Sequence, residues 1–209
     1  MKKSDWKKVI IASTVSVVIG AVLLAVIVLK NRKISCSSSM LFIGDSHTAG
    51  SWSYADKVMQ LCDNSKSKKI AKVGANTTWI SQELDKELQK NKYDLVVILG
   101  GANDIFGSLS IDKAKENMNK MLAQINKAGS KSVVINPPSK KFYSGTTDKH
   151  RELIKGWSSF LKDHKQPIKF INFEALTQDS NYFAGDNIHV NTSGHKKLSD
   201  HFIQKFKLA

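Results

Sequence analysis

Apolar residues are distributed along this chain in two distinct ways. Residues 9–29 form about 21 consecutive positions without a charge. After residue 40 the apolar residues fall instead into short β-branched runs separated by longer segments of helical periodicity. The short runs predict strands at residues 40–44, 69–73, 95–99, 132–136 and 168–173. Between them, segments 52–61, 78–89, 111–128 and 149–162 carry apolar residues every three or four positions, as helices packed on a sheet do. The clearest stripe is Ile111, Ala114, Met118, Met121, Leu122 and Ile125, closed by Gly129 as a C-cap. A last helix is expected over 192–206. Strands alternating with crossover helices predict an α/β domain with a sheet of about five parallel strands between two helical layers.

At 1.5 Å per residue the first run is long enough to cross roughly 30 Å of hydrocarbon, which predicts an N-terminal transmembrane helix. A cleaved signal peptide is the main rival, but its apolar region usually spans about 7–15 residues and ends in small residues. Here the run stops at Lys30-Asn31-Arg32-Lys33. Lys2, Lys3, Lys7 and Lys8 precede the span and Lys30, Arg32 and Lys33 follow it. That margin orients the N-terminus to the cytoplasm and the domain outward. The expected organisation is a basic tail (1–8), a span (9–29), a linker that turns serine-rich (30–39) and a catalytic domain (40–209).

Four segments carry candidate chemistry: Gly44-Asp45-Ser46-His47-Thr48-Ala49-Gly50, Val73-Gly74-Ala75-Asn76-Thr77, Gly100-Gly101-Ala102-Asn103-Asp104 and Asp186-Asn187-Ile188-His189. Three of them follow predicted strands directly, and functional groups in doubly wound sheets gather at strand carboxyl ends. A serine hydroxyl needs an imidazole base and usually a carboxylate to orient it, and Ser46, His189 and Asp186 are those residue types. In type, order and spacing the set resembles the SGNH hydrolases, also called GDSL-type esterases and lipases, from about Met40 onward. The resemblance implies a flavodoxin-like three-layer α/β/α fold and a serine esterase working through an acyl-serine intermediate. It implies Ser46 as nucleophile, His189 as base and Asp186 as its partner. The oxyanion donors it implies are the N–H groups of Ser46 and Gly74 and the side-chain amide of Asn103. Asp45 would then stabilise the nucleophile turn. His47 stands where the family most often has leucine, and is read either as a structural residue or as a substrate contact. His195 is expected on the face of the closing helix.

A net charge of +14 falls to about +8 past residue 33. The remaining lysines are scattered and lack interleaved aromatics, which disfavours nucleic acid and reads as a solvated surface or an attraction to an anionic envelope. Cys36 and Cys62 are too few for a zinc site or a disulfide-dense scaffold, but they can pair in an oxidising compartment. No H-x-H or H-E-x-x-H ligand pair occurs, so neither a metal nor another cofactor is expected, and Glu174 and Asp179 have no evident partner in the sequence. Asn76 and Asn191 open N-x-[ST] sequons, but a glycan beside the motifs would obstruct them. With short intervals between motifs, a small acyl ester such as acetate on an envelope carbohydrate is favoured as substrate. The span keeps open a lipase, lysophospholipase or thioesterase on longer chains, and a non-catalytic membrane-anchored module is the reading from another class.

Overall fold

The computed structural model describes residues 33–63, 65–107, 110–138, 141, 143–164 and 168–208. The expected span at 9–29 lies outside them, and among the described residues no helix is long and apolar enough to cross a membrane. The sheet consists of β1 (Met40–Gly44), β2 (Lys68–Ala71), β3 (Leu95–Leu99), β4 (Lys131–Ile135) and β5 (Lys169–Ile171). All pairings are parallel, in the order β2-β1-β3-β4-β5. β1 and β3 are buried at every position, as central parallel strands covered on both faces must be.

Side chains alternate across the sheet, so each strand feeds two cores. Met40, Phe42, Val97 and Leu99 pack on one face with residues of α2 (Tyr54–Cys62) and α8 (Thr192–Phe206). Leu41, Ile43, Val96 and Ile98 pack on the other with α3 (Thr77–Lys90), α5 (Ile111–Lys127) and α6 (Asp148–Lys162). Each long helix starts at a residue suited to the task. Ser53 forms a capping box with Asp56, while Asn76, Ser110, Thr147 and Asn191 accept from backbone N–H groups of the first turn. Both sequon asparagines therefore serve as helix caps.

The differences from the periodicity lie at the edges of elements. β2 stops two residues short of the expected 73, because Ala75 N–H turns back to the Lys72 carbonyl (3.1 Å). β5 ends at Ile171 because Asn172 caps α7 (Phe173–Leu176). Two other short helices, α1 (Ser46–Ala49) and α4 (Ala102–Ile105), occupy the strand ends themselves and are too brief to show a period. The stretch read as linker is packed over its second half. Ile34 and Cys36 rest against the core, and Ser39 donates through N–H and Oγ to Asp94 Oδ2 (2.8 and 3.1 Å). Cys36 and Cys62 form a disulfide that ties this segment to the end of α2.

Candidate active site

The strand order reverses direction between β1 and β3, and ligands of such sheets bind outside the carboxyl ends at that point. Ser46 opens α1 directly after β1, and Asn103 lies in α4 directly after β3. Asp45 fixes the first turn: its buried carboxylate accepts from His47 N–H at 3.0 Å. The loop before α8 brings the fourth segment across. His189 Nε2 stands 3.0 Å from Ser46 Oγ, and His189 Nδ1 is 2.6 Å from Asp186 Oδ2. Asp186 Oδ1 also accepts from the N–H groups of Ile188 and His189, at 2.9 Å each. Partial burial opposes charge on Asp186, but the His189 ring and the two N–H groups outweigh it and hold the carboxyl well below the usual carboxylate range. The serine, histidine and aspartate thus form one hydrogen-bonded chain.

Gly74 lies on the same rim with φ of 74°, a left-handed conformation that favours glycine, and a Cβ there would meet nothing within 4 Å. The backbone at this point is therefore open to a bound group. Asn103 Nδ2 donates to the Ala75 carbonyl at 2.9 Å. An amide nitrogen carries two N–H bonds, so fixing one on Ala75 sets the direction of the other. Gly101 has φ of 107°, and a side chain there would collide with the buried Trp157 ring, which donates through Nε1 to the Gly100 carbonyl (3.3 Å).

His47 is only 2% exposed, and both of its ring nitrogens lie against acceptors. Nδ1 is 3.3 Å from Asp45 Oδ1 and Nε2 is 3.3 Å from the carbonyl of Ile188, the residue preceding His189. The ring borders the cavity but spends its polar atoms tying the nucleophile turn to the histidine loop. A second tie escaped sequence reasoning. Buried Asp104 accepts from Thr77 N–H (3.1 and 3.0 Å) and Thr77 Oγ1 (2.6 Å), and Asn117 Nδ2 donates to Thr77 Oγ1 (3.1 Å). Burial pushes the Asp104 carboxyl upward despite these bonds. The only sequence signal was an acid directly after Asn103. Also missed were Phe106, Tyr143, Gly145 and His150, which complete a cavity of about 370 Å³ with Ser46, Gly74, Asn103 and His189. Phe106 lies at a tilt against His150 (centroids 4.5 Å apart) and meets Tyr143 edge-on (6.0 Å). Tyr143, Gly145 and His150 lie far from every motif, and Phe106 follows the third by two residues without belonging to its pattern, which is why spacing did not find them.

His195 is buried on α8, Asp179 caps a 3-10 turn at Ser180–Tyr182, and Glu174 accepts from Ser158 Oγ (3.4 Å) away from Ser46. Among the described residues, no three His, Cys, Asp or Glu side chains converge as a metal site.

Residues 42–197 match the model of the GDSL-like lipase/acylhydrolase family. The chain belongs to that family. It is accordingly an esterase, and the resemblance read from the motifs holds. No curated protein matches it in sequence. Among solved structures, the acetylxylan esterase Axe2 of Geobacillus stearothermophilus superposes with a TM-score of 0.71 at 16% identity, over 85% of this chain and 98% of that one. A GDSL-like lipase from Bacteroides thetaiotaomicron gives 0.65 at 17% identity, over 81% and 87% of the two chains.

Proposed function

We propose that this GDSL-family esterase hydrolyses small O-acyl esters, acetate foremost, on an envelope carbohydrate. The observation that carries the mechanism is the unbroken chain from Asp186 through His189 to Ser46 Oγ. Ser46 attacks the ester carbonyl while His189 Nε2 takes its proton, and Asp186 holds the ring and balances the imidazolium. The tetrahedral oxyanion is met by the N–H groups of Ser46 and Gly74 and by the Asn103 amide, each worth about 2.7–4 kcal/mol of transition-state stabilisation. His189 then gives its proton to the leaving alcohol. In the second half it takes one from water, which attacks the acyl-serine and restores the hydroxyl.

A cavity of about 370 Å³ walled by Phe106, Tyr143 and His150 suits a short acyl group on a ring-shaped alcohol better than a long alkyl chain. The likeness to an esterase named for acetylxylan points the same way. With a p-nitrophenyl ester series from acetate to palmitate, kcat/KM is expected to be highest at acetate or propionate. A maximum at eight carbons or more would favour the lipase reading.

We further propose that residues 9–29 anchor the protein in a membrane, with residues 1–8 cytoplasmic and the domain extracytoplasmic. The uncharged length and the basic flanks support this, and the Cys36–Cys62 disulfide suits an oxidising compartment.

A further inference from the structure

Beside the Ser46 cavity lies a second one of about 460 Å³. Four cationic side chains, Lys141, Arg151, Lys155 and Lys162, line it against one acid, Glu174. Three of them belong to α6 at spacings of four and seven residues, with Ser158 between, so they share one helix face about 16 Å long. Cations stacked on one face repel and cost helix stability unless something offsets them. Asp148 does so for Arg151 alone, accepting from its Nε and Nη2 at 3.1 and 2.6 Å, while Nη1 donates to the Thr146 carbonyl (3.1 Å). Lys155 and Lys162 are exposed.

The two cavities are lined by adjoining residues. Gly145 and His150 line the Ser46 cavity, and the next residue in each case, Thr146 and Arg151, lines the cationic one. A chain with an acyl group at Ser46 would cross this ridge and continue along α6. We propose that the α6 cleft is a subsite for an anionic polymer, in which carboxylates or phosphates of neighbouring units lie against Arg151, Lys155 and Lys162. It rests on the esterase reading only in assigning the polymer as substrate; binding in the cleft is independent of turnover.

The test uses the full-length protein with unacetylated polygalacturonate, and dextran of matched length as the neutral probe. Polygalacturonate is expected to bind and dextran not to, with affinity falling as salt rises. Lys155→Gln/Lys162→Gln is expected to weaken binding about tenfold, while Lys120→Gln/Lys127→Gln, the same charge change on α5, leaves it within about twofold. Equal loss from both pairs, or equal binding of the two polymers, overturns the subsite. p-Nitrophenyl acetate hydrolysis is expected to be unchanged in both variants. Absence of that hydrolysis in the wild type would count against the esterase reading and leave the binding result standing.

Discussion

Asn103, His47 and Ser46 show how much of the site depends on single polar atoms. Replacing Asn103 with Ala removes one proposed oxyanion donor and should lower kcat about 10²–10³-fold with little change in KM. A change confined to KM would place the residue in substrate binding. His47 touches neither the Ser46 hydroxyl nor its proton, yet its ring connects Asp45 to the carbonyl next to His189. His47→Leu, the residue most frequent in the family, removes the ring contact between the nucleophile turn and the Ile188 carbonyl and lets the base drift from Ser46. Misplacement of about 1 Å costs on the order of 10²-fold. The expected result is a loss of about 10–100-fold in kcat and in the rate of fluorophosphonate labelling, at unchanged KM. Wild-type labelling by His47→Leu would show that the tie is dispensable.

At the level of elements, the chain's own pattern predicted each strand and each long helix among the described residues. Buried central strands and amphipathic helices are set by hydrophobic periodicity over several turns, as in β3 and in α5 with its Met118 and Met121 stripe. The motif residues Ser46, Gly74, Asn103, Asp186 and His189 were legible because each belongs to a short ordered segment. The short helices α1, α4 and α7 were not, being a single turn each, and the cavity wall was not, because Phe106, Tyr143 and His150 converge only through the fold. Helix α8 carries its own test. Burial, followed by the positive surroundings of His47 and Lys57, pushes the His195 imidazole down to about 4. Its unfolded value is about 6.5, so between those values the unfolded chain binds a proton that the folded chain refuses. Stability should therefore fall as pH drops from about 6.5 to about 4, by at most about 1.4 kcal/mol per unit from this group. Urea midpoints measured through that range should decline less steeply for His195→Gln than for wild type.

For the whole molecule, the Cys36–Cys62 bridge lies before β1, at the end of the sheet opposite the site, and closes a separation of 26 residues. Cys36→Ser/Cys62→Ser should lose about 2–4 kcal/mol of unfolding free energy while keeping wild-type kcat at low temperature. A matching loss of kcat would mean that the bridge shapes the site. The proposed topology predicts that protease added to intact cells or spheroplasts digests the domain and spares a short N-terminal tag; protection of the domain would reverse the orientation. Turnover through an ester on Ser46 is tested by mass spectrometry of the full-length protein after reaction with a fluorophosphonate. One adduct is expected, located on Ser46, together with loss of p-nitrophenyl acetate hydrolysis, and neither labelling nor turnover is expected in a folded Ser46→Ala variant. An adduct on another residue, or hydrolysis by Ser46→Ala at the wild-type rate, would contradict it.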